Sequence, residues 1–220
     1  MDGQFLLILL VVIIVIASII HAYLEALKRR TAMQDLAAEL HMRFDPKKNR
    51  SLPRGFNFIK QLNKGNNRYA KNTLSGHSPK GEPILIFDYH FETGSGKHTQ
   101  HHQAAVFILK LPRSFPELQI EPENLFSRFK GIIGFSDIDF ESFEFSKRYD
   151  VRSQNKKFAY DFCHPRMIQY LLRNRNFMIE VDRANLALVF PEKMSIPLIR
   201  ANHHRILEIR NLMPDYLFEN

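Results

Sequence analysis

Residues 5–20 carry no charged side chain, and the apolar run continues past His21 through Ala22, Tyr23 and Leu24. At about 1.5 Å per residue, roughly twenty residues match the roughly 30 Å hydrocarbon core of a bilayer, so 5–24 is expected to be a membrane-spanning helix. A cleaved signal peptide would need a basic start and a small-x-small cleavage site. Met1-Asp2-Gly3-Gln4 has no basic residue, and no Ala-x-Ala follows the run. Beyond the span, Ala32, Met33, Leu36, Ala37 and Leu40 recur at helical spacing. They predict a helix over 31–42 that continues the span or follows it after a short break. Asp45-Pro46 stops it, and 46–54 reads as a polar, basic connector with a turn at Pro53-Arg54-Gly55.

From Arg68 onward the alternation is that of strands. Segments 69–75, 83–92 and 99–111 form an antiparallel meander, the last two joined by a hairpin turn at Gly94-Ser95-Gly96-Lys97. Pro112 and Pro116 are expected to end the third strand. A short helix is expected over 124–130, and more strand over 140–145 and 149–153. Segment 156–162 fits either helix or strand. Pro165 opens a helix over 167–173, 177–182 and 186–190 read as a hairpin around Arg183-Ala184-Asn185, and 197–212 reads as a terminal helix. Strands first in a meander, then strands mixed with helices, give the α+β class: an N-terminal transmembrane helix, one mainly antiparallel-sheet domain and a C-terminal helix. The expected divisions are a short extracytoplasmic tail (1–4), the span (5–24), a juxtamembrane helix with its basic connector (25–55) and a cytoplasmic domain (56–220).

The chain has 220 residues and a net charge of +8. Between residues 28 and 71 there are twelve Lys or Arg but only Asp35, Glu39 and Asp45 as acids, so the excess sits in the membrane-proximal third. Lys28, Arg29 and Arg30 directly follow the span, which by the positive-inside rule keeps residues 28–220 in the cytoplasm and sends the N-terminus out. Basic charge tethered beside a bilayer suits anionic lipid, at about 1 kcal/mol per residue near the surface, better than nucleic acid. Lys28, Arg29, Arg30, Lys47, Lys48, Arg50 and Arg54 are the expected lipid-surface contacts, and no nucleic-acid partner is expected.

Catalytic motifs fail one by one. Thr93-Gly94-Ser95-Gly96-Lys97-His98 lacks the first Gly and the hydroxyl residue of a phosphate loop, and a strand follows it rather than a helix. The single Cys163 excludes an internal disulfide, and its adjacency to His164 is not a spatial thiolate pair. His203 and His204 diverge by about 100° on a helix. Asp137, Asp139, Glu141 and Glu144 alternate with Phe residues as an amphipathic strand would. The hairpin histidines are the one remaining cluster, His90 falling roughly opposite His101 across the turn, with His98 and Asp88 nearby. His101 and His102 point to opposite faces, and Glu92 is the only acid at hand, so no tight metal site and no cofactor are expected.

Arg68-Tyr69-Ala70-Lys71-Asn72-Thr73-Leu74-Ser75-Gly76, Ile86-Phe87-Asp88-Tyr89, Leu111-Pro112, Pro122-Glu123 and Phe145-Ser146-Lys147-Arg148-Tyr149-Asp150-Val151 together resemble a family of uncharacterised bacterial membrane-anchored proteins, over residues 31–190. The resemblance implies an N-terminal anchor followed by a cytoplasmic α+β module in the bacterial inner membrane, and it carries over no functional residues. The resulting expectation is a single-pass, envelope-associated binding or scaffold module, its partners the lipid bilayer and a protein partner or second copy of the chain. The alternative is a membrane-tethered enzyme using Asp88, His90, His98 and His101.

Overall fold

The computed structural model describes residues 3–123, 138 and 140–219. The helix expected over 124–130, and Asp137 and Asp139 with Phe135, lie outside the described residues.

Helix α1 (Gly3–Glu39) is a single unbroken element of 37 residues, about 55 Å long. The span and the helix after it are therefore one rod. Its first part exposes apolar side chains on every side, Phe5, Leu7, Ile13 and Leu24 among them, while Met33, Leu36 and Ala37 are buried. It is long and apolar enough to cross a membrane once. The change from exposed to buried along one helix marks where its unpacked apolar part ends and its packed part begins.

The described residues form a six-stranded antiparallel sheet of β1 (Arg43–Asp45), β2 (Asn66–His77), β3 (Pro83–Thr93), β4 (Gln100–Pro122), β5 (Tyr149–Ser153) and β6 (Met178–Phe190). The order is β1-β2-β3-β4-β5, with β6 also on β4. Strand β4 serves two neighbourhoods. Its first half lies between β3 and β6, its second between β5 and β6. Helices α2 (Phe143–Arg148), α3 (Lys156–Phe162), α4 (Pro165–Arg173) and α5 (Ile196–Leu212) complete the α+β fold.

Three local expectations are corrected. Strand β4 runs through Pro112 and Pro116, because pairing with β3 has ended at Leu109 and pairing with β5 begins only at Leu118. A proline without an N–H costs little where one side of the ladder has no partner strand, as here among the described residues. The hairpin expected around Arg183-Ala184-Asn185 is instead a bend in the single strand β6. Arg183 has φ of 50°, and the register with β4 slips between Lys110 and Phe115 and again before Leu118. Residues 143–148 are helical rather than extended, because Ser142 caps the first turn by accepting from the Phe145 N–H. The ambiguous 156–162 is helix for the same reason, its cap being Asn155, which accepts from the Phe158 N–H at 2.9 Å.

Alternation along β3 and β4 divides the core between two faces. Ile84, Ile86, Ala105, Phe107 and Leu109 meet Met33, Leu36 and Ala37 of α1 and Ile199, Ile206 and Ile209 of α5. Phe87, Tyr89, Phe91, Ala104, Val106 and Ile108 face the other way, covered by Ile59, Leu62, Leu52 and Phe56 from two short 3-10 turns. The basic connector is thus stitched to the sheet. Asn49 exchanges backbone hydrogen bonds with Ala70 at 2.8 and 2.9 Å.

Candidate functional site

On the α1 side of the sheet, the period of two along β3 aligns Asp88, His90 and Glu92 on one face. Asp88 is 3% exposed and sits at the centre of an ion pair that joins three elements. Arg29 Nη2 of α1 donates to both its carboxylate oxygens at 3.0 Å, Asn72 Nδ2 of β2 donates at 2.8 Å, and Arg29 Nη1 reaches the Met194 carbonyl before α5 at 2.7 Å. Asn72 has φ of 51° where the β2–β3 register slips, a conformation Asn tolerates better than most residues, and the bulge turns its amide onto Asp88.

Arg29 therefore points into the domain, whereas Lys28 and Arg30 stay exposed with Lys47, Lys48, Arg50 and Arg54. Its spacing explains why. Arg29, Met33, Leu36, Ala37 and Leu40 fall at i, i+4, i+7, i+8 and i+11, one stripe of a helix. Extending the apolar stripe one turn back would have placed Arg29 beside the core.

Four residues along β3 from Asp88, a second cluster forms. Glu92 lies directly across the hairpin from His101, and His90 pairs with Gln103. His90 is thus diagonal to His101, two residues from the register expected. The Glu92 Oε1 oxygen is 3.4 Å from His90 Nε2, 3.2 Å from His101 Nδ1 and 2.7 Å from Asn67 Nδ2, which donates to it. The Asn67 hydrogen bond is the main reason the Glu92 carboxyl titrates below its usual range, with the His90 hydrogen bond adding and burial opposing. His90 stacks on Tyr69 at 4.6 Å between ring centroids, and the Lys48 ammonium lies 4.6 Å over the same Tyr69 ring. His98 is exposed in the turn Gly96–His98, and His102 faces the other side, stacked on Phe91 and 2.7 Å from the Thr93 hydroxyl. Of Asp88, His90, His98 and His101, the structure joins His90 and His101 through Glu92, gives Asp88 to Arg29 and leaves His98 outside. Glu92 was legible, since it follows His90 by one strand period.

Beside this cluster an open cleft of about 340 Å³ is lined by Arg50, Arg54 and Arg68 with Asn57, Asn66 and Asn67. Arg50 Nη2 donates to Asn67 Oδ1 at 3.2 Å, so the amide that fixes Glu92 also holds one wall of the cleft.

The direction of α1 orients all of this. Arg29 meets Asp88, whereas Met42, just past the end of α1, lies against Gly76, which pairs with Ile84 at the start of β3. Helix and strand run antiparallel, so the β3–β4 turn, the histidines and the arginine cleft stand at the same end of the domain as the exposed apolar part of α1.

On the opposite face lies a group that the sequence did not flag. Glu180 is 1% exposed; its Oε2 accepts from the Lys60 N–H at 3.2 Å and from Gln119 Nε2 at 3.3 Å, and its Oε1 is buried with no hydrogen-bond partner among the described residues. Burial pushes its pKa up to about 8.

No family model and no curated protein matches this chain. A solved structure does: the crystal structure of the mycobacterial trehalose monomycolate transport factor A, TtfA, with a TM-score of 0.57 and 15% identity over 83% of this chain and 88% of that one. The chain shares a fold with TtfA. At that identity the likeness is one of architecture, and it says nothing about the hairpin cluster or the arginine cleft.

Proposed function

We propose that this chain is a single-pass anchored binding module of the bacterial inner membrane, with its N-terminus outside and its domain on the cytoplasmic side. In this reading the domain lies against anionic headgroups and serves envelope lipid transport as an accessory or scaffold. The observation that carries it is the rigid junction: an unbroken α1 whose apolar exposed part runs directly into the core, locked by Arg29 on Asp88. Tyr23 lies six residues before Arg29, about 9 Å along the helix. Glu92 lies four residues beyond Asp88 in the same direction, about 13 Å along the strand. The hairpin end and the arginine cleft therefore reach the level of Tyr23, an interfacial aromatic position. Arg50, Arg54 and Arg68 then meet lipid phosphates in the bidentate manner that suits guanidinium. The TtfA-like fold supports an envelope setting, because the mycobacterial protein is a transport factor for trehalose monomycolate.

The test uses full-length protein in nanodiscs of neutral or mixed anionic lipid, followed by hydrogen exchange. Residues 47–54 and 65–68 are expected to exchange more slowly on anionic discs, and the protection is expected to fade as salt shortens the Debye length from about 10 Å at 0.1 M to about 3 Å at 1 M. Changing Arg50, Arg54 and Arg68 together to Gln should remove the difference. Equal exchange on both lipids would sink the reading.

A further inference from the structure

We propose that His90, Glu92 and His101 form a binding site for a divalent transition metal, zinc in the first instance, at the membrane-proximal end of the sheet. Two imidazole nitrogens and one carboxylate oxygen are a ligand set that zinc takes with a fourth position left for water or an anion. All three ligand atoms lie within 4.8 Å of one another. Around a tetrahedral zinc with bonds of about 2.0–2.1 Å, neighbouring ligand atoms stand about 3.3–3.4 Å apart. The Glu92 oxygen already lies 3.2 Å from His101 Nδ1 and 3.4 Å from His90 Nε2. Only the gap between the two nitrogens has to close, and His101 is exposed whereas the buried His90 ring is stacked on Tyr69.

The hydrogen bonding favours a cation over a simple polar triad. Asn67 Nδ2, His90 Nε2 and His101 Nδ1 all crowd one oxygen, Glu92 Oε1, and a carboxylate oxygen offers only about two lone-pair directions. An ion between the three ligand atoms resolves the crowding. The imidazoles then aim lone pairs at the metal in place of hydrogens at the oxygen, and Asn67 remains as the outer hydrogen bond that orients the carboxylate. The expectation of no metal site rested on missing third and fourth ligands; the Glu92–His101 register supplies the third, and the fourth position is left to water or an anion.

The test is made in detergent without lipid, so it stands or falls independently of headgroup contact. Full-length protein carrying no histidine tag is stripped with chelator and titrated with zinc by calorimetry and with cobalt(II) by visible absorption. One saturable equivalent and a tetrahedral cobalt spectrum are expected. Both should vanish in His90→Ala, His101→Ala and Glu92→Gln, the last of which keeps the side chain's size and its acceptor for Asn67. Asn67→Ala should weaken binding about 10–100-fold, and His98→Ala and His102→Ala should leave it unchanged. Absence of saturable binding, or binding that survives loss of His90 and His101, overturns the proposal. If the alanine variants fail to fold, X-ray absorption of the zinc-loaded native chain decides: a shell of two imidazoles with oxygen supports the site, and any other shell refutes it.

Discussion

Replacing Arg29 with Ala removes one partner from a pair whose carboxylate side chain is 3% exposed and whose guanidinium is 16% exposed. Asp88 would keep only the Asn72 amide. Breaking a buried pair from one side costs about 3–5 kcal/mol, because the remaining charge stays in low dielectric, whereas an exposed pair is worth about 0–1 kcal/mol. Asp88→Asn strands the Arg29 charge instead, but that side chain is 16% exposed and stays bonded to the Met194 carbonyl, so its cost is expected nearer that of a lost charged hydrogen bond, about 1.5–3 kcal/mol. The Arg29→Met, Asp88→Leu double variant leaves no charge behind and should recover most of the loss, closing a double-mutant cycle with a large coupling energy. Urea unfolding of the full-length chain in detergent, followed by near-UV circular dichroism of the tyrosines, reports on the domain rather than on the micelle-bound part of α1. A cost below about 1 kcal/mol for Arg29→Ala would show that the pair behaves as a surface contact, and the rigid junction argued from it would fall.

Glu180 makes stability depend on pH. Its folded pKa of about 8 lies above the unfolded value of about 4.3, so the folded state holds the proton more tightly. This contribution is full below the unfolded pKa and is lost as pH rises through the folded one. Glu180→Gln should flatten the fall in stability between about pH 5 and pH 8, where a single such group contributes up to about 1.4 kcal/mol per pH unit. An unchanged slope in thermal melts across that range would refute the assignment. In α1, Leu36→Ala removes a side chain that is 1% exposed and should cost the domain about 2–5 kcal/mol, whereas Leu10→Ala, at 58% exposure, should leave its urea midpoint unchanged. Equal effects at the two positions would contradict the division of α1 into an exposed apolar part and a packed part.

How much of this was legible differs by element. The apolar run of 5–24 and the strands around Gly94–Lys97 declare themselves through short-range pattern, and the α+β class follows from their order. Misreadings occur where local chemistry and distant pairing compete. Pro112 and Pro116 normally end a strand, yet β4 tolerates them between Leu109 and Leu118, where one side has no partner strand among the described residues. Arg183-Ala184-Asn185 resembles a turn, but the paired slip in β4 makes a bend cheaper than a reversal. At the site, Asp88, His90 and His101 were visible as chemistry-bearing residues. The partner of Asp88 stands 59 positions away, on a helix reached only by tertiary packing. Glu180 gives no local hint of its burial, since its neighbours Lys60 and Gln119 come from other elements.

The Lys28-Arg29-Arg30 trio carries two different tasks, and helix geometry explains the division. Consecutive side chains on a helix turn by about 100°, so three adjacent cations cannot all stay exposed when one flank of the helix is packed on a sheet. The stripe through Met33, Leu36 and Ala37 passes through position 29, and a cation there must be paired or expelled. Asp88 pairs it, and Asn72 and the Met194 carbonyl satisfy much of the remaining hydrogen bonding. A leucine at 29 would pack equally well against apolar neighbours but would leave Asp88 unpaired, so the two residues belong together. The pair sits at the last turn before the exposed part of α1 begins. Rotation of the domain about that exposed part of α1 would have to break it. Lys28 and Arg30 stay exposed, and the buried Arg29 ties the domain to the exposed apolar part of α1.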